Sequence, residues 1–210
     1  MAFMTASRSK LPGAGARKPV MLDLVTRTRT FRRFIEKKPV SPAALRSLIN
    51  LARLSASGGN LQPLKFIPTN NRRINQLIFP QLAWAGYLKD WAGPQPGERP
   101  AAYIIILGDR QIRPDPGCDH GIAAQSIMLG ATELGMGGCI IGSINRPKLR
   151  RALRIPNQFD ILLTLALGYP REKIKIEPTR NNNIKYWRDA AMLHHVPKRS
   201  LKEIILPASR

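Results

Sequence analysis

Residues Asp119 to Gly142, DHGIAAQSIMLGATELGMGGCIIG, constrain the fold most, because they leave a helix no polar face. From Gly121 to Leu134 only Gln125, Ser126, Thr132 and Glu133 interrupt a run of apolar and small residues. A helix apolar all round is buried on every side, so the stretch predicts the central helix of the domain. Ala123, Ala124, Gly130 and Ala131 leave room for another backbone to approach, within the chain or from a second subunit. The stretch is too short and too polar to span a bilayer, which needs about 20 apolar residues. Gly135-Met136-Gly137-Gly138 then stops the helix, and Cys139-Ile140-Ile141-Gly142 reads as a short buried strand or extended edge. Glycines there let the backbone lie flat against something planar. The order, helix then glycines then strand, is the reverse of a dinucleotide-binding turn.

A chain of 210 residues can bury one substantial core, and nothing in it forces a second domain. Its formal charge of +21 is unusual. That balance attracts polyanions, so a nucleic acid is a partner to weigh, and it equally suits a protein that holds a phosphorylated cofactor. Cys118 and Cys139 make no disulfide framework, and no signal-peptide core or transmembrane run is present, which predicts a reduced, cytoplasmic protein.

Residues 1–20 carry Arg8, Lys10, Arg17 and Lys18 without an acid, and predict a disordered basic tail ahead of a single domain over 21–210. In the arginine cluster RTRTFRRF, a helix would set Arg29 on the same side as Arg32 and Arg33, with Thr28 and Thr30 nearby. Guanidinium forks with a hydroxyl suit a terminal phosphate. Ser41-Pro42 opens a helix as cap and first-turn proline, and Ser55-Ala56-Ser57-Gly58-Gly59 ends it. The loop continues through Asn60-Leu61-Gln62-Pro63, whose amides suit the edge of a heterocycle or serve simply as a turn. Trp84, Tyr87 and Trp91 fall in an expected helix from Gln81 to Trp91, within a segment, Asn70 to Pro100, that could form a lid or one wall of a pocket.

Ala101 to Leu107 and Ile161 to Leu167 read as buried strands, and Pro147 to Leu153 as a short basic helix. The last forty residues read as an extension wrapping outward. In it Ser200-Leu201-Lys202-Glu203 is a capping box, so Lys198 and Arg199 stand just before a helix N-terminus that favours anions. The chain shows no P-loop, no zinc-ligand spacing and no nucleophile elbow. Anion-binding groups and amide-rich loops without catalytic side chains suit an enzyme whose cofactor performs the chemistry.

RTRTFRRF, SASGGNLQP, the Gly-Ile-Ala-Ala-Gln helix ending in GMGGCIIGS, the LALGYP strand end and the HHVPKRSL tail resemble, in this order, the FMN-dependent nitroreductase family, from about Asp23 to Leu201. The resemblance implies an α+β fold, a mixed sheet flanked by helices, in an intertwined homodimer with FMN at each subunit interface. It implies that Arg29, Thr30 and Arg32 bind the flavin phosphate, and that Lys198 and Arg199 close on it. Ser57, Gly58, Asn60 and Gln62 would reach the isoalloxazine or ribityl chain of the flavin shared with the other subunit. Backbone around Cys139, Ile141 and Gly142 would face the ring near N5. The sequence departs from the family at Thr28, where members often have arginine, which leaves open whether neighbouring Arg27 substitutes, and at Ile140-Ile141, where some carry an acid near the ring.

The expected activity is a ping-pong transfer of hydride from NAD(P)H through flavin N5 to a small-molecule acceptor such as a nitro compound or quinone. The alternatives are a protein that sequesters or senses flavin without turnover, and a basic nucleic-acid binder. The second is disfavoured because the few aromatics are not interleaved with the basic clusters. No metal and no membrane contact is expected.

Overall fold

The computed structural model describes residues 20–208, so the basic tail expected over 1–20 lies outside it apart from Val20. The helices in chain order are α1 (Val20–Arg27), α2 (Pro42–Leu54), α3 (Arg72–Ile78), α4 (Asp119–Glu133) and α5 (Arg146–Leu153), followed by a single closing turn. Strands β1 (Leu64–Thr69), β2 (Ala102–Asp109), β3 (Gly137–Ile141) and β4 (Phe159–Gly168) pair antiparallel in the order β1-β2-β4-β3.

Every residue of β2 is buried, because helices cover both faces of the sheet. Ile104 and Ile106 of β2, with Leu165 and Leu167 of β4, meet Leu45 and Leu48 of α2 and Ile127 of α4. On the opposite face Tyr103, Ile105 and Leu107, with Cys139 and Ile141 of β3, lie against Ile78 of α3 and Leu149 of α5. Each large aliphatic side chain removed from water contributes about 1.5–3 kcal/mol, which makes this two-faced core the main stabilising term. The helix apolar all round is α4, but it is not buried on every side: Ala123, Ala124, Ile127 and Ala131 face the core, while Gly121, Ile122, Gln125 and Glu133 are exposed. A Cβ on Gly130 would stand 2.2 Å from Leu51 Cδ1 and 3.0 Å from Leu48 Cδ2, so the small residues of α4 serve the approach of α2 within the chain. Ser41 caps α2 by accepting a hydrogen bond from the Ala44 N–H, with Pro42 at its start.

Beyond β4 the chain forms a second sheet of β5 (Ile174–Pro178), β6 (Trp187–Arg188) and β7 (His194–Lys198), ordered β5-β7-β6. β5 and β7 run parallel and β6 antiparallel to β7, so parallel and antiparallel pairing coexist in the chain. The Ser200–Glu203 capping box is present and opens α6 (Leu201–Ile204).

Three further expectations need correction. The cluster after α1 is not helical: from Arg29 to Phe34 the chain is extended, bridging Thr30 to Gly138 and Phe34 to Pro170. The open edge of β3 offers carbonyls that a helix would leave unpaired, and the Phe31 N–H donates to Gly138 O at 2.9 Å. The helix expected over Gln81–Trp91 is also absent: a 3-10 turn spans Phe79–Gln81, and the following backbone takes a left-handed step at Ala85, φ 40. Leu82 bridges Ile144 and the Ala83 N–H donates to Ser143 O, so pairing beyond the end of β3 wins over local helix formation. Finally, the last forty residues do not simply wrap outward. His194 is 1% exposed and joins the basic cluster of the N-terminal segment.

Candidate functional site

Extended backbone sends alternate side chains to opposite sides. Thr28, Thr30 and Arg32 face a cavity of about 290 Å³, whereas Arg33 turns away and forms a forked pair with Glu98 at 2.7 and 2.5 Å. The same period acts in β7: His194, Val196 and Lys198 reach the cavity, while His195 points elsewhere. Arg29 joins them, and Gln125 and Met128 of α4 with Ile140 of β3 complete the walls. Arginines near the beginning of the chain and a lysine near its end thus converge on one cavity. Among the described residues, no carboxylate lines it.

The cations are held rigidly. Glu172, buried, accepts hydrogen bonds from the Arg32 N–H at 2.5 Å and the Arg33 N–H at 3.1 Å, and pairs with Arg188 at 2.9 Å. The Arg32 guanidinium lies 4.5 Å from the Tyr186 ring centroid and 3.2 Å from His194 Nε2. Burial, then the neighbouring arginines Arg32 and Arg188, push the His194 pKa down to about 4, so its neutral ring accepts from Arg32. Burial also lowers the pKa of Arg29, whose Nη2 donates to Val25 O at 2.5 Å and whose Nε is buried without a partner among the described residues. A desolvated guanidinium with a donor to spare fits an oxyanion.

A second cavity of about 310 Å³ adjoins the first and shares Thr30, Arg32, Ile140 and Tyr186 with it. The stretch from Cys139 to Ser143 and the irregular segment around Trp84 and Ala85 supply its other walls. Strand alternation turns Cys139 and Ile141 into the core, 5% and 4% exposed, so these two meet the cavity through backbone and Ile140 through its side chain. Burial pushes the Cys139 thiol up to about 11, which leaves it a small apolar group.

The other expected residues are not in this cavity. Ser57 and Gln62 line a third space of about 140 Å³, beside Asp119 and Phe66. Asp119 holds the loop by accepting from Ser57 Oγ at 2.6 Å and the Gly58 N–H at 3.0 Å, and those bonds, the hydroxyl's first, keep its carboxyl below the usual range. Gly59, Asn60 and Gln62 take left-handed φ of 59, 56 and 51, and the loop folds back on itself: the Asn60 and Leu61 N–H groups donate to Ser57 O and Gly58 O, and the Gln62 N–H to Ser57 Oγ. Arg199 lies outside the basic cavity, exposed and 3.8 Å from Glu203. Arg27 does not replace the family's arginine at Thr28: it pairs with Asp23 at 2.7 Å on the open surface, and the Thr28 hydroxyl instead lies 2.7 Å from Leu24 O and 2.8 Å from Thr132 Oγ1, engaged within the fold.

Sequence reasoning missed Tyr186 and His194; Trp84 was expected only as part of a lid or pocket wall, and Ile140 only as a point of departure from the family. For His194 a signal existed, since a strand read over residues 194–198 would have placed it on the side of Lys198. Among the described residues there is no cluster of metal-ligating side chains, and no helix is long and apolar enough to cross a membrane.

The family model described as Nitroreductase family matches residues 25–169. An Archaeoglobus fulgidus protein provisionally named NADH dehydrogenase/NAD(P)H nitroreductase is 25% identical over 154 residues, 70% of this chain and 83% of that one. A nitroreductase family protein from Clostridium difficile superposes with a TM-score of 0.64 at 20% identity, covering 90% of this chain and 98% of its own. The NADPH:FMN oxidoreductase from Vibrio harveyi, solved with NAD+, gives 0.60 at 20% identity over 78% of this chain and 74% of its own. With a matched region that runs from the basic segment through the whole four-stranded sheet, the chain belongs to the nitroreductase family.

Proposed function

We propose that this protein is an FMN-dependent oxidoreductase that uses NAD(P)H to reduce electron-poor aromatics such as nitro compounds and quinones, in two half-reactions at one site. The observation that carries the reading is the convergence of Arg29, Arg32 and Lys198 on a cavity with no carboxylate among its described lining residues. The unpartnered buried Nε of Arg29 fits a phosphate dianion. Thr30, Arg29, Arg32 and Lys198 would hold that phosphate, and the adjoining cavity along Cys139, Ile141 and Gly142 has the backbone wall a planar ring needs. Bound there, FMN would accept hydride at N5 and pass it on.

The chain supplies orientation and charge. The cationic lining favours negative charge in the site, and the fixed bonds of Glu172 mean that little rearrangement is required. Ile140 and Trp84 supply apolar walls to the ring end. Neither the Cys139 thiol nor neutral His194 offers a base with a suitable pKa, which agrees with hydride rather than proton chemistry. Ser57, Gly58, Asn60 and Gln62 stand apart from the basic cavity, a separation that supports their serving the flavin of a second copy, in a homodimer. Arg199 is left out of the phosphate set.

The purified protein is expected to be yellow, or to become so with added FMN, to bleach with NADPH under nitrogen and to recover its colour with a nitroaromatic or quinone. Protein that neither carries nor takes up FMN overturns the reading. Bound flavin that neither nicotinamide bleaches would favour sequestration or sensing instead.

A further inference from the structure

A fourth cavity, about 500 Å³, opens between α3, the segment Glu36–Val40 that precedes α2 and the segment around Gly97–Ala101. It shares no lining residue with the three already described. An aromatic wall divides it from the ring-end cavity: Phe79 lines the one and Trp84 the other, with centroids 5.8 Å apart.

We propose that this cavity is a second anion site, which takes a small organic molecule through a carboxylate or phosphate ester gripped by the Arg99 guanidinium and the Tyr103 hydroxyl. Tyr103 is 1% exposed, with its ring in the core cluster under α3 and α5. Yet it also lines the cavity, and its hydroxyl has no hydrogen-bond partner among the described residues. Burial raises the phenol's pKa far above its ordinary value, so the hydroxyl remains a donor at any physiological pH. Arg99 and Tyr103 line the same cavity, which gives one ligand access to both.

Arg99 stacks over Phe79, its guanidinium carbon 4.2 Å from the ring centroid. Stacking occupies a face of the guanidinium and leaves the in-plane N–H groups free. Its Nε is buried without a partner, and among the described residues Arg99 makes no ion pair. An arginine whose buried Nε has no partner, beside a phenol hydroxyl facing the same cavity, is what a forked oxyanion contact completes.

Competing groups are already engaged. The amides of Asn70 and Asn75 donate to Val40 O and Ala101 O, both at 2.9 Å, so they shape the walls. Glu36, the one carboxylate of the lining, accepts the Gly97 N–H at 2.5 Å, and Lys37 and Arg72 join Arg99 in outweighing its charge.

The test is calorimetric titration of the purified protein at low salt with glycerol 3-phosphate and, separately, citrate. Saturable one-to-one binding of at least one is expected, and the arm that binds identifies the headgroup. Arg99→Met should weaken that binding about tenfold or more, and Tyr103→Phe by about threefold to tenfold, with unchanged thermal midpoints. Arg32→Met, in the basic cavity, should leave it unaltered. The shared wall adds a second readout, a change in tryptophan emission on binding that Trp84→Phe removes. Absence of saturable binding by both compounds, an unaltered affinity in Arg99→Met, or loss in Arg32→Met instead would overturn the assignment. The opposite responses of Arg99→Met and Arg32→Met distinguish this site from the basic cavity whether or not flavin is bound there.

Discussion

Lys198 and Arg199 are adjacent cations with different surroundings. Lys198 closes a strand on the face that looks into the basic cavity, and Arg199 follows it into solvent beside Glu203. Removing Lys198 deletes a charge-assisted contact to an anion, and such contacts contribute about 1.5–3 kcal/mol. Lys198→Met should therefore weaken FMN binding about tenfold or more, followed by quenching of flavin fluorescence. Arg199→Met should change it by less than about twofold, as exposed ion pairs contribute little. Equal losses in both variants would refute this division. Gly138 carries a purely steric role: a Cβ there would lie 2.8 Å from Ala166 O, Leu167 Cδ2 and Met128 Sδ. The backbone oxygen cannot swing aside, so Gly138→Ala should cost about 1–3 kcal/mol of unfolding free energy in urea.

Within β7 the alternation of one strand gives its two histidines opposite electrostatics. His195 sits between Glu177 at 3.0 Å and Asp189 at 3.2 Å, stacked on Trp187 with centroids 3.9 Å apart. The bond to Glu177 above all raises its pKa over the ordinary 6.5. Its stabilisation is thus complete below pH 6.5 and is lost as pH climbs through the folded value. His194, pushed down to about 4, acts in reverse: the unfolded chain takes up its proton first, so stability drops as pH falls from 6.5 towards 4. The urea midpoint should therefore peak near the ordinary histidine pKa of about 6.5. His195→Gln should flatten the alkaline limb and spare the acid one; an alkaline limb as steep as the wild type's would exclude His195 as its source.

For the whole molecule, the decisive feature is that the amide loop at Ser57–Gln62 and the basic cavity open on different spaces of one protomer. If each flavin is completed by a second copy, co-expressed chains bearing Arg32→Met and Gln62→Ala should form mixed dimers with one intact site and one doubly damaged site. Flavin occupancy near one per mixed dimer is expected, against weak binding in each parent homodimer. Mixed dimers that bind no better than the weaker parent would show that one protomer supplies both groups.

The central helix, though not its exposed side, the two core strands and the Ser41 cap were legible in the sequence because their causes are local: apolar content, β-branched runs and a hydroxyl before a proline. The chemical types at the site were legible too, since arginines, hydroxyls and amide loops carry their donors wherever they are placed. Pointing was not. Whether Arg33 joined Arg32, whether Cys139 or Ile140 faced the cavity, and whether Lys198 or Arg199 reached it all followed from which segments became extended. That in turn was decided by the open edge of β3, which recruited Arg29–Phe34 and Leu82–Ala83 to satisfy backbone groups that the sequence beside them could not foresee. Local chemistry alone determined what this protein could hold, and long-range strand pairing decided where it would hold it.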